Sequence, residues 1–297
     1  MTMPTSSAED IHLTLTSKHP YIGADQPEIS TDIIAHTRTA ALNAVLDCGA
    51  PPRDGDPLPE LWHWIFFQPN IRQSELAVDG YLRSNADTPG MRPQQHMWAG
   101  GRLRCHAPLT IGQSVSRASN IVKVETKTGR RGRLTFVTTR HLFTNFGQVK
   151  IEEEQDIVYI EPHDAQAKPD IRQATPAPEN CTWQRIIHPT ETLLFRYSAL
   201  TFNSHRIHYD YPYTTAIEGY PNLLVHGPLL ATLLMNLVHQ NVPQATVREF
   251  TFKAIRPTFL GHPFMICAEP SIDGKQVALW AKDHEGWLTM TATAILA

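Results

Sequence analysis

The stretch His226-Gly227-Pro228-Leu229-Leu230-Ala231-Thr232-Leu233-Leu234-Met235-Asn236-Leu237-Val238-His239-Gln240 is apolar on almost every face. A helix that is apolar all round has to be buried on all sides. Proline in the first turn suits a helix start, because the N–H it lacks would have no intrahelical partner there. Extended back to Asn222, the run is still too short and too broken, by His226, Gly227, Pro228 and Asn236, to cross a bilayer. The spacing therefore predicts a core helix from about Pro228 to about Gln240. The β-rich runs Phe264–Pro270, Gln276–Lys282 and Trp287–Leu296 would cover it, joined by turns at Asp273-Gly274 and Glu285-Gly286 that read as antiparallel hairpins.

The same order occurs earlier in the chain. The alternating strand around Leu103 closes on Pro108-x-x-x-Gly112, as the strand around Phe250 closes on Pro257-x-x-x-Gly261. A helical region precedes the first of these: Thr31–Leu46, with Ile33, Ile34, Ala41, Leu42, Val45 and Leu46 at helical spacing and Thr31 or Ser30 as N-cap. Strands Val115–Val124, Arg133–Phe143 and Val149–Ile160 follow it. Two halves of one design are expected, each an α+β unit in which an antiparallel sheet wraps an apolar helix. They would span residues 1–160 and 181–297, with 161–180, rich in Pro, Ala, Asp and Gln, as a linker. The polar first ten residues read as a mobile tail.

Composition narrows the partners. The 297 residues carry a formal net charge of −3, without the basic surplus that phosphate-backbone binding needs, so neither nucleic acid nor a membrane is an expected partner. Cys48, Cys105, Cys181 and Cys267 lack CxxC spacing, and no charged-then-apolar signal opens the chain, which predicts a cytoplasmic protein with free thiols.

Ahead of the core helix, Phe195 to Asp210 reads Phe-Arg-Tyr-Ser-Ala-Leu-Thr-Phe-Asn-Ser-His-Arg-Ile-His-Tyr-Asp. Tyr-Ser-Ala-Leu-Thr, a polar turn, Ile-His-x-Asp and then His226-Gly227-x-Leu229 closely resemble the signature of the MaoC-like, R-specific enoyl-CoA hydratases. The spelling of Phe202–Asp210 is most similar to the branch holding hydroxyacyl-thioester dehydratase type 2 and the 3-methylfumaryl-CoA (mesaconyl-CoA) and itaconyl-CoA hydratases. Trp62–Phe67, Met97–Gly101 and Glu153–Tyr159 resemble that branch's N-terminal domain. The resemblance covers the chain apart from tail and linker. It implies a double hotdog, two antiparallel sheets each round a central helix, whose first half has lost the catalytic turn. It also implies a hydro-lyase acting on a CoA thioester, with no cofactor and no metal, and a homodimer as one possible assembly.

Hydrating an enoyl thioester takes a base for the attacking water, a proton for C2, and donors for the charge that develops on the thioester oxygen. His208 suits the first two tasks and Gly227, at a helix N-terminus, suits the third; the resemblance implies both roles. Asn203 stands where the family usually has aspartate, so His208 is expected to act alone while Asn203 holds water. The rate should then rise with pH through one ionisation near neutrality. Tyr197, His205 and His226 are placed on the substrate side, although His226 could simply orient the turn. Arg206, where the wider family has proline, is the candidate partner for the carboxylate of a short branched dicarboxylic substrate, against a surface or CoA-phosphate contact. Asp210 could cap or orient the turn. Trp62, Trp64, Phe66 and Phe67 read as packing, and His205-x-x-His208-x-Asp210 lacks the further ligands of a metal site. Alternative functions are a 3-hydroxyacyl-thioester dehydratase of fatty-acid synthesis, a hotdog acyl-CoA thioesterase, and a non-catalytic acyl-thioester-binding protein.

Overall fold

A computed structural model of the chain describes residues 27–83, 95–129, 132–162 and 174–297. The expected tail, the turn residues Arg130 and Arg131 and most of the expected linker lie outside the described residues. In chain order the elements are β1 (Glu28–Ile33), α1 (His36–Val45), β2 (Gln95–Cys105), β3 (Ser114–Gly129), β4 (Gly132–Asn145), β5 (Gln148–Pro162), β6 (Trp183–Ile187), α2 (Glu191–Thr201), α3 (Gly227–Asn241), β7 (Val247–Ala254), β8 (Phe264–Pro270), β9 (Gln276–Lys282) and β10 (Leu288–Leu296).

All ten strands join in one antiparallel sheet of order β1-β3-β4-β5-β2-β7-β10-β9-β8-β6. Read from either edge inward, the order is the same: β1-β3-β4-β5-β2 in one half, β6-β8-β9-β10-β7 in the other. The strands recognised in the sequence as repeats, those around Leu103 and Phe250, therefore meet at the centre, where these two residues are register partners. Two sheets were expected, and the junction of β2 with β7 makes them one. Glycines allow it: a Cβ on Gly100 would stand 2.5 Å from the Phe252 carbonyl oxygen, and one on Gly101 would stand 2.6 Å from the Phe252 ring. Any larger residue would hold the halves apart.

Hydrogen bonds align the halves residue by residue. Gly112 and Gly261 both take positive φ, +89° and +104°. Leu58 N donates to Leu109 O and Ile111 N to Asp56 O; in the second half Val225 N donates to Thr258 O and Leu260 N to Leu223 O. Beyond Val225 the chain enters α3, whose Leu229–Val238 are all buried and which packs on β6, β8, β9 and β10. Beyond the matching Leu58 the described residues before β2 form only two short 3₁₀ turns, Trp62–Ile65 and Gln73–Glu75. The first half thus keeps its sheet but, among the described residues, shows no central helix of its own.

The helix expected at Thr31–Leu46 is corrected in the same way. Glu28–Ile33 alternates between half-buried and exposed residues and pairs as an edge strand with Ser114–Ser119, so α1 begins only at His36, after Ala35 as N-cap. It lies against α2 and the 3₁₀ turn rather than within the sheet. The sequence reading also passed over α2, whose start is set by the Thr190 hydroxyl accepting from Leu193 N at 3.1 Å.

Candidate active site

Helix α2 ends as Phe202 takes a left-handed φ of 53°, and the chain folds into a polar turn. Asn203 Oδ1 accepts from His205 N at 3.0 Å, so its carbonyl is spent on the turn and its amide hydrogens are what it offers to a ligand. A 3₁₀ turn over Arg206–His208 then directs His208 inward. His208 Nδ1 lies 2.8 Å from Leu224 O. A carbonyl can only accept, so Nδ1 carries the proton and Nε2 carries the lone pair. Burial pushes this imidazole down to about 4, the bond to Leu224 opposing the shift. The ionisation expected near neutrality is therefore moved to acid: desolvation disfavours the charged ring, and at neutral pH His208 is already a base.

His226, the residue before α3, stacks on His208 with ring centroids 3.7 Å apart, and its Nε2 lies 2.8 Å from Ser198 Oγ. Tyr197 meets His226 edge-on at 5.0 Å, and His205 meets His208 edge-on at 5.7 Å. Burial, with the His208 and His205 rings adding to it, holds His226 well below the usual imidazole range. The stack fixes His208 from the side while Leu224 fixes it from behind.

A cavity of about 1010 Å³ opens in front of these residues, and Tyr197, Asn203, His205, His208 and Gly227 line it. Gly227 brings the first turn of α3 to the wall, where N–H groups lack helical partners and the helix dipole is positive. His226 is not a lining residue; it backs His208. Arg206 is not on the wall either. Its Nε and Nη2 reach Asp210 Oδ2 at 3.0 and 2.7 Å, its Nη1 reaches Val78 O at 3.0 Å, and its Cζ lies 4.0 Å from the centre of the Tyr213 ring. With these contacts Arg206 braces the polar turn, and the structure sets it behind the cavity wall rather than in it. Asp210, which also accepts from Tyr213 N at 3.0 Å, is its anchor.

The first half supplies a large part of the cavity wall. Residues of the first half, including Trp64, Phe67, His141, Phe143 and Glu153, line the same cavity. Glu153 Oε2 lies 3.0 Å from His63 Nε2, and its Oε1 accepts from Trp64 Nε1 at 2.7 Å and from Gln155 Nε2 at 2.8 Å. Burial alone would raise this carboxyl; the charge and hydrogen bond of His63, with His141 and Gln155, hold it down at about 2. Trp64, so tethered, meets Trp98 edge-on at 5.2 Å, and Trp98 Cε3 stands 3.1 Å from where a Cβ on Gly227 would be. Of the two tryptophans read as packing, Trp62 is core alone while Trp64 is also cavity wall.

A loop of the first half also clamps the catalytic turn. Arg206 N donates to Asp79 O at 2.9 Å, Ser204 Oγ donates to Gly80 O, and a Cβ on Gly80, whose φ is +93°, would overlap the Ser204 carbonyl. The one sequence signal for this clamp was Asp79-Gly80, which reads only as a turn. Among the described residues no group of His, Cys, Asp and Glu could hold a metal, no helix is long and apolar enough to cross a membrane, and all four cysteines are free.

Comparison with known proteins gives a consistent picture. Residues 61–260 match the family described as hydroxyacyl-thioester dehydratase type 2. The chain is 41% identical over 270 residues to the mesaconyl-C(4)-CoA hydratase of Chloroflexus aurantiacus, covering 91% of this chain and 94% of that protein. It is 30% identical over 231 residues to the mitochondrial hydroxyacyl-thioester dehydratase type 2 of Schizosaccharomyces pombe, covering 69% and 76%. Among solved structures, a MaoC-like dehydratase from Phytophthora capsici aligns with a TM-score of 0.68 at 10% identity, covering 96% of this chain and 98% of that one. HtdX from Mycobacterium tuberculosis aligns with a TM-score of 0.64 at 15% identity, covering 90% and 98%. These two show a shared fold.

Proposed function

Since the chain belongs to the hydroxyacyl-thioester dehydratase type 2 family, we propose that it is a hydro-lyase that reversibly hydrates a short branched dicarboxylic enoyl-CoA of the 3-methylfumaryl (mesaconyl) type. The observation that carries this reading is the pairing of His208 Nδ1 with Leu224 O at 2.8 Å, which leaves Nε2 as a lone-pair base facing the cavity of a CoA-thioester-sized site. In the hydration direction, His208 Nε2 takes a proton from water as the water oxygen bonds to C3. The C2–C3 π electrons move toward the thioester, and the charge on its oxygen is met by backbone N–H at the start of α3, at Gly227. The imidazolium then returns its proton to C2, restoring the thioester and the neutral ring. Asn203 donates to the water and holds it between His208 and C3. Tyr197 and His205 shape the wall, and His226 keeps the His208 plane fixed through the step.

The repeated strand order supports reading the chain as a double hotdog, residues 1–160 and 181–297 joined by 161–180, with the catalytic turn in the second unit only. The four free cysteines fit a reducing compartment such as the cytoplasm. Exposed isoleucines on both edge strands, Ile29 and Ile33 on β1 and Ile186 on β6, favour association of two chains, to be read by sedimentation. The functional test is loss of enoyl-thioester absorbance with 3-methylfumaryl-CoA, run beside thiol release from saturated acyl-CoAs. Hydration without thiol release is expected; thiol release alone would make the protein a thioesterase, and ligand binding without either would make it a binding protein.

A further inference from the structure

The cavity wall next to His208 contains polar atoms that no described residue satisfies. Thr258 and Thr289 both line the cavity. They are 3% and 0% exposed, and both hydroxyl oxygens are buried without a hydrogen-bond partner. Beside them Arg256, also on the wall, has a buried Nε without a partner. A buried hydroxyl or guanidine N–H left unpaired costs roughly 1–3 kcal/mol, and three together in one wall call for a ligand that accepts several hydrogen bonds at once.

These atoms are tied to the catalytic turn through the backbone. Leu224, whose carbonyl holds His208, bridges to Phe259, and Val225 N donates to Thr258 O at 2.8 Å. Thr289 O in turn accepts from Ile255 N and Arg256 N at 2.9 and 3.2 Å. Thr258 is thus one strand spacing, about 5 Å, from the segment that orients the base and leads into Gly227. The guanidinium is anchored at one corner only: Arg256 Nη1 lies 3.9 Å from Asp283 Oδ2, while Asp283 Oδ1 is held by Glu285 N and Trp287 N at 3.1 and 2.9 Å. Nη1 points away from the Nε edge, and the Nε edge is the one that matches a carboxylate bidentately.

We infer that Arg256, Thr258 and Thr289 form the subsite for the free carboxylate of the acyl group, and so set the preference for a dicarboxylic over a monocarboxylic enoyl-CoA. The inference rests on the hydratase reading and deepens it. In a four-carbon dicarboxylic acyl group the far carboxylate is about 4 Å from the thioester carbon, three bonds of roughly 1.5 Å in a trans chain, so its subsite has to adjoin Gly227 and His208, as this one does. The lining around His63, His141 and Glu153 already holds an ionised carboxylate among its own partners.

The test compares fumaryl-CoA with crotonyl-CoA, which differ only in a carboxylate or a methyl on C3, in wild type, Arg256→Met and the near-isosteric Thr258→Val/Thr289→Val. Wild type is expected to favour fumaryl-CoA. Each variant is expected to lower kcat/KM for fumaryl-CoA on the order of ten- to a hundred-fold more than for crotonyl-CoA, the scale of charge-assisted hydrogen bonds. Equal losses on both substrates would assign Arg256 to a CoA phosphate, and an unchanged preference would place the carboxylate elsewhere; either result overturns the subsite. Calorimetric binding of succinyl-CoA against butyryl-CoA reads the same preference without turnover. It therefore decides the subsite even if wild type hydrates neither enoyl-CoA, an outcome that would remove the hydratase reading alone.

Discussion

His208 and Leu224 are joined by a hydrogen bond of 2.8 Å that runs from Nδ1 to a main-chain carbonyl. The bond decides which nitrogen of the ring can act. Because burial lowers this imidazole to about 4, kcat/KM for hydration is expected to stay level from neutrality downward and to fall only as the pH passes through about 4, when Nε2 takes up a proton. An acid limb centred near 6.5, the value for an unburied histidine, would show that the ring is solvated in the working enzyme.

Removing the ring tests the division of labour in the turn. His208→Ala is expected to cost on the order of a hundred- to ten-thousand-fold in kcat, the range for loss of a general base, while binding of a saturated acyl-CoA persists. Asn203→Ala removes one donor to water but leaves the base, and should cost roughly tenfold. If Asn203→Ala proved the more damaging of the two, the base would have to be sought in another residue.

Arg206 makes its contacts to Asp210, Val78 and Tyr213, away from the cavity. Arg206→Ala should therefore reduce kcat/KM for fumaryl-CoA and crotonyl-CoA in the same proportion, by loosening the turn, and leave the ratio between them intact. A selective loss on the dicarboxylic substrate in steady-state kinetics would return Arg206 to substrate recognition.

Gly80 has no room for a side chain against Ser204, and its φ of +93° is unfavourable for other residues. Gly80→Ala is expected to destabilise the fold by about 1–3 kcal/mol and to lower kcat, although the residue lies in the half that carries no catalytic group. Thermal melting and turnover measured together would show this; an unchanged melting temperature with unchanged kcat would mean that the clamp is dispensable.

Acid should weaken the protein in two stages. Burial lowers His141 and His208 to about 4, so between about 6.5 and 4 the unfolded chain binds protons that the native one refuses. Stability falls with pH across that window, by about 3 kcal/mol for each ring. Glu153, held at about 2, acts lower down: its contribution is complete above the ordinary carboxyl range and disappears as pH falls through 2. Denaturant titrations from pH 7 to 4 should show the first stage, with a shallower decline in His141→Asn.

The parts of this molecule that could be read in the sequence are those in which one local signal carries the whole message. The all-apolar run after Gly227 could only be a buried helix, and Phe264–Pro270 and Gln276–Lys282 came out with their observed ends. Glu28–Ile33 misled because Ile33 and Ile34 fit helical spacing as well as strand alternation, and only pairing with β3 decides between them. The site divided on the same line. Asn203, His205, His208 and Gly227 are adjacent in the chain or mark a helix start, so their meeting could be anticipated. Gly80, Trp98, Glu153 and Arg256 reach the site only through long-range contacts, and no spacing along the chain announces those. For Arg206 the spacing to Asp210, four residues on, equally fits an ion pair within the turn, which is what the structure shows.

The ladder between β2 and β7 has a consequence for how such a chain can change. Two separate copies meeting at that line would have to present one self-complementary surface, and every substitution would appear twice. Carried on a single polypeptide, each side of the line mutates independently, and the neighbours stay together at any dilution because the connection between them sets their effective concentration. Each side can therefore differ in what it packs against the shared sheet: the second keeps a buried helix whose start at Gly227 faces the cavity, while the described residues of the first give the cavity part of its wall.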